Sequence, residues 1–247
     1  MNLPMVAMSF GVGLLIGLTS IGGAALMAPF LILVAGVRPV TAVGTDLLYG
    51  AVTKSVGAWV HVRQGTVDLP LVRKLAAGSI PGGLAGSLAV VLLPRFTAEA
   101  DRVLRSAIGA LLVVVALLLL VRMMFSWERP VALSGRAAAR WGAAVGFCVG
   151  ATSVGSGSLL APFLMLLYPS KTVRAVGTDI FHAAVLVSVT GVAHALAGGV
   201  EWQLMPALLA GSIPGVLLGA RLAPLVPPRP LRTGLAAVLL ATGVHMI

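Results

Sequence analysis

The chain has 247 residues, of which 59% are hydrophobic and only 10% charged, with a mean hydropathy of +1.06. A soluble domain of this length needs a charged coat, so a water-soluble globule is excluded. The formal charge of +10 does not point to nucleic acid, because the Lys and Arg residues sit in short loops between apolar runs, as they do when they orient a membrane protein.

Apolar stretches of about 20 residues, enough to span roughly 30 Å of hydrocarbon, follow one another almost without pause. The N-terminus, Met1 to Ser20, lacks the positive n-region of a cleavable signal and is read as retained. Four segments are predicted first, at about 3–36, 40–61, 69–94 and 103–125. Four more follow, at about 138–168, 173–197, 203–226 and 231–247. The reading is an all-α polytopic protein of the inner (plasma) membrane. The lone Cys148 lies in an apolar run and is read as a packing residue.

The two sets of four are copies of one unit. Gly17-Leu18-Thr19-Ser20-Ile21-Gly22-Gly23 recurs as Gly150-Ala151-Thr152-Ser153-Val154-Gly155-Ser156. The same offset of 133 carries Ala42-Val43-Gly44-Thr45-Asp46 onto Ala175-Val176-Gly177-Thr178-Asp179, and Gly78-Ser79-Ile80-Pro81-Gly82 onto Gly211-Ser212-Ile213-Pro214-Gly215. It also carries His61 onto His194, with no gap from residue 12 to residue 86. A skeleton of Gly, Ser, Thr, Pro and Asp held in register over that length indicates duplication. The units are placed at 1–125 and 138–247, joined by the charged link 126–137.

The first segment of each unit is too long and too interrupted for an ordinary span, since 3–36 holds Thr19 to Gly23 and then Pro29. Two half-helices meeting at a break are expected, crossing in line or folding back as a re-entrant hairpin. If every segment crosses, the basic residues divide almost evenly between the two faces. If the first segment of each unit folds back, Arg38, Arg95, Arg102 and Arg105 share one face and twelve of the 17 basic residues gather on the other. The hairpin thus satisfies the positive-inside rule and makes the units inverted repeats.

Broken backbone survives in lipid only when buried or lining a cavity, and half-helix starts attract anions. Thr19, Ser20, Gly22 and Gly23, with Thr152, Ser153, Gly155, Ser156 and Ser158, are therefore candidates for substrate binding, although small residues also serve simple helix packing. Ser79 and Ser212 stand in the Ser-Ile-Pro-Gly element, read as a kink or as a second break that would complete a midplane site. Asp46 and Asp179 either carry a coupling proton or cap their helix and pair with a neighbour such as Arg38 or Arg174. Lys54, replaced by Val187 in the second unit, is expected to pair with Asp46, to snorkel, or to meet a substrate anion. His61, His194 and His182 are candidates for proton coupling or else surface-facing helix-end residues, and His182 falls at the repeat position of Tyr49. No metal-ligand spacing or phosphate loop appears, no cofactor is expected, and Ser153 lacks the leading Gly of a hydrolase elbow.

These duplicated motifs resemble the TauE/SafE sulfite exporter family over nearly the whole chain. The resemblance implies a permease for sulfite, a sulfonate or a related small organic anion, driven by a proton or cation gradient through alternating access. An uncoupled channel and a non-transporting scaffold are the alternatives. In the second unit Ser156 and Gly157 replace Gly23 and Ala24, so the glycine run is weaker there. The expected partners are the bilayer, the anion and its coupling ion. Nucleic acid is not among them, and a homodimer is left open.

Overall fold

The computed structural model describes residues 3–19, 24–124, 134–155, 157–160, 164, 172–222, 225–226 and 228–247. These residues form helices joined by short turns. The first unit holds α1 (Leu3–Thr19), α2 (Ala24–Leu33), α3 (Pro39–Arg63), α4 (Leu69–Phe96) and α5 (Ala100–Met124). The second holds α6 (Gly135–Thr152), α7 (Thr172–Leu196), α8 (Met205–Leu222) and α9 (Pro228–Met246). Helices α4, α5 and α7 are long and apolar enough to cross a membrane, and α1, α8 and α9 contain shorter apolar helices.

Local sequence sets the boundaries. Pro39 occupies the first turn of α3, where its missing N–H is no loss. Asp68 caps α4 by accepting from the Leu71 N–H at 3.1 Å, and Ser134 caps α6 by accepting from the Ala137 N–H at 3.2 Å. Gly65 and Gly198, 133 residues apart, end α3 and α7 at φ of 65° and 74°.

Helix packing follows the same offset. Gly78, Gly82 and Gly86 of α4 lie on the backbone of Ala139, Ala143 and Phe147 of α6. Gly211, Gly215 and Gly219 of α8 lie likewise on Val6, Phe10 and Leu14 of α1. A Cβ on Gly146 would stand 2.7 Å from Ser79 Cα, and one on Gly13 would stand 2.7 Å from Ser212 Cα. Both crossings therefore require glycine, and they bring backbones into direct contact where lipid offers no hydrophobic drive for association.

These registers also fix direction. Residue numbers rise together across α4 and α6 and across α1 and α8, so each pair is parallel. Gly44 meets His194, Gly50 meets Val187 and Gly57 meets Ile180, so α3 and α7 are antiparallel. Ser79 with His182 and Gly83 with Thr190 make α4 parallel to α7. It follows that α6 runs in the same direction as α7, the relation that the hairpin reading requires of the second unit. Among the residues whose side chains are described, Arg38, Arg95, Arg102 and Arg105 then lie on one face. Arg63, Arg73, Lys74, Arg136, Arg140, Arg174 and Arg221 lie on the other.

One expectation is corrected. Pro81 and Pro214 sit inside α4 and α8, which continue through them, so the Ser-Ile-Pro-Gly elements are not second breaks. The helix loses one backbone hydrogen bond at proline, and close packing of the neighbouring glycines on α6 and α1 holds it together.

Candidate functional site

The break of the second unit is visible from Thr152 onward. Ser153 adopts φ 60° in the left-handed region, and Gly155 and Gly157 follow at φ 110° and 120°. Ser153 is a non-glycine residue in a strained conformation, which persists only where surrounding contacts hold it. The contacts are present: its Oγ lies 2.6 Å from Asp46 Oδ2 on α3 and 2.6 Å from the Thr152 carbonyl. Thr152 is absorbed into the break itself, donating to the Cys148 carbonyl at 2.7 Å and accepting from the Val154 N–H at 3.2 Å. Ser158 is buried, and its hydroxyl has no partner among the described residues. In the first unit Thr19 is the last residue of α1, while Ser20, Gly22 and Gly23 lie outside the described residues, as does Ser156 of the second unit.

Asp46 and Asp179 are 3% and 2% exposed, one on each of the antiparallel helices α3 and α7. Each lies two turns inside its helix, so neither is a cap; Arg38 holds the cap position of α3. Arg174 pairs instead with Asp68, at 3.2 Å.

Lys54 stands between the Gly50 and Gly57 contacts, opposite the part of α7 that holds His182. It is partly buried and interacts electrostatically with both Asp46 and Asp179. Of these two carboxylates one comes from each unit. Adjacent to it, His182 Nε2 and Ser79 Oγ lie 2.8 Å apart, both buried.

The histidines separate into different roles. His182 and His194 are 2% and 0% exposed, so the helix-end surface reading fails for both. His194 Nε2 donates to the Gly150 carbonyl at 3.0 Å, fixing α7 to the end of α6 just before the break. His61 is partly exposed and lies 2.9 Å from Thr66 Oγ1, near the C-terminal end of α3. The structure therefore gathers Asp46, Ser153, Lys54, Asp179, His182 and Ser79 into one region, and leaves His61 and His194 at the ends of α3 and α7.

Sequence reasoning passed over Tyr49. It is 1% exposed, one turn from Asp46, beside Ser212 of α8. The signal available was its repeat position: Tyr49 and Ser212 correspond to His182 and Ser79. Among the described residues no cluster of His, Cys, Asp and Glu could hold a metal ion.

Comparison with known proteins gives the class. Over its full length the chain is 40% identical to the probable membrane transporter protein YjnA of Bacillus subtilis (strain 168), itself covered completely. It is 27% identical to the probable membrane transporter proteins YdhB and YunE of the same organism, over 90% and 96% of this chain and 91% and 92% of theirs. No solved structure matches. The model of the family described as sulfite exporter TauE/SafE matches residues 5–246, and the chain belongs to that family of membrane transporters.

Proposed function

We propose that the protein is a secondary active transporter for a small anion, sulfite, a sulfonate or a related organosulfur anion, working by alternating access between two inverted membrane repeats at 1–125 and 138–247. The single observation that carries this reading is Lys54: among the described residues it is the cation that lies within the apolar bundle, with a carboxylate from each repeat in its electrostatic surroundings. An ammonium in such a place is costly and marks a substrate or ion pathway. A sulfonate or sulfite oxygen is a suitable counter-charge for it.

The same cluster supports coupling to a proton. With Lys54, Asp46 and Asp179 all ionised the set carries one net negative charge, and an entering anion makes it two. A proton on one carboxylate removes the excess. Ser153 favours Asp46 for that role, because its Oγ has one hydrogen and two acceptors, Asp46 Oδ2 and the Thr152 carbonyl, each at 2.6 Å. Both contacts are hydrogen bonds when Asp46 carries a proton and donates to Ser153.

The test is thermal stabilisation of the purified protein in detergent against sulfite, sulfate, thiosulfate, sulfoacetate, taurine, acetate and chloride. A saturable shift with one sulfur oxyanion or sulfonate, absent in Lys54→Met, is the expected result. A folded protein that responds to none of them would falsify the anion reading.

A further inference from the structure

Two buried hydroxyls face each other, each without a hydrogen-bond partner among the described residues. Tyr49 Oη on α3 and Ser212 Oγ on α8 come close enough to interact, yet neither reaches hydrogen-bonding geometry with any group among the described residues. The residues are 1% and 0% exposed. Their counterparts at the 133-residue offset, His182 and Ser79, close on each other at 2.8 Å. One pair of backbone positions thus holds a satisfied contact in one half of the bundle and an open one in the other.

A buried donor left unpaired is destabilising, and Phe with Ala would fill the same space without that penalty. The neighbouring carboxylate does not take these hydroxyls: neither reaches hydrogen-bonding geometry with Asp46, whose Oδ2 lies 2.6 Å from Ser153 Oγ. What two neutral O–H donors on separate helices do suit is an acceptor with two or more oxygens. Lys54, five residues further along α3, adds positive charge to the same region.

We infer that Tyr49 and Ser212 are the hydroxyl donors that hold the oxygens of a bound oxyanion, forming a subsite on the Asp46 side of the bundle. The inference rests on the anion-transport reading and adds to it the groups that recognise oxygen. It makes the two halves unequal: His182 and Ser79 support the fold, and Tyr49 and Ser212 meet the ligand. A monatomic halide, with no second oxygen to bridge the two donors, is a poor occupant.

Calorimetric titration of the detergent-purified wild type, Tyr49→Phe and Ser212→Ala with sulfite and with sulfoacetate, alongside melting curves without ligand, tests this. Each variant should melt at or above the wild-type temperature when ligand-free, and bind the anion about tenfold or more weakly. Chloride at matched ionic strength should give no saturable heat in any of the three. Wild-type affinity in both variants overturns the subsite alone. So does a variant that melts lower or fails to fold without ligand, because its hydroxyl then serves the structure. A wild type that binds neither probe overturns the anion reading, and the subsite with it.

Discussion

Asp46 with Tyr49 and Ser212, and Asp179 with His182 and Ser79, occupy matching positions 133 residues apart on matching helices. The glycine contacts that place them are matched as well. Their chemistry is not. The Asp179 side has an imidazole bonded to a serine, whereas the Asp46 side has two hydroxyls with no partner among the described residues and a carboxylate bonded to the break. Lys54 lies between them and has only Val187 as its counterpart, packed on Gly50. Duplication supplies a symmetric scaffold, and a few substitutions at its centre turn two equal stations into two different ones.

The largest effect should come from breaking the scaffold that both stations share. Gly146→Leu forces a side chain into the Ser79 backbone, and Gly13→Leu does the same against Ser212. Each is expected to abolish a monodisperse peak in size-exclusion chromatography, since overpacking on a backbone with no room to yield costs at least about 1–3 kcal/mol. Next is the charge between the stations. Lys54→Met should lower transport into proteoliposomes about a hundredfold or more, and adding Val187→Lys in that background should restore part of it. Full recovery would show that charge alone matters and that the stations are equivalent after all.

The carboxylates should separate the two sides by pH. Asn mimics a protonated aspartate, so Asp46→Asn is expected to keep anion binding while flattening the rise in transport on acidification that coupling predicts. If Asp179→Asn flattens the profile and Asp46→Asn does not, the proton belongs on the other side. A smaller difference is expected between the serines. Ser79→Ala leaves the His182 imidazole without its buried partner and should cost about 1–3 kcal/mol, lowering the melting temperature by several degrees. The smallest effect belongs to the surface: Arg174→Gln removes a half-exposed ion pair with Asp68 and should change stability by less than about 1 kcal/mol.

Much of this architecture is readable in the amino acids. Segment positions follow from runs of apolar residues, and the duplication follows from Gly, Ser, Pro and Asp in register. The hairpin reading rests on where arginines collect. Each is a property of chain composition against a slab of hydrocarbon, and lipid leaves few alternatives. The break at Ser153 was legible for the same reason, as a polar and glycine-rich interruption in an apolar run.

The pairings were not. Asp46 reads as a helix cap until α3 is seen to begin at Pro39, and Arg174 reads as its partner type until it is seen bonded to Asp68. Pro81 reads as a break until the continuous α4 is seen packed on α6. Tyr49 has no motif at all, and only the approach of Ser212 from a helix more than 150 residues away makes it part of a site. By itself the sequence determined the class, the spans, the duplication and the polar positions, because these depend on local composition and on the bilayer. Tertiary structure alone decided which polar groups meet, because those contacts form between helices far apart in the chain, at crossings fixed by backbone geometry.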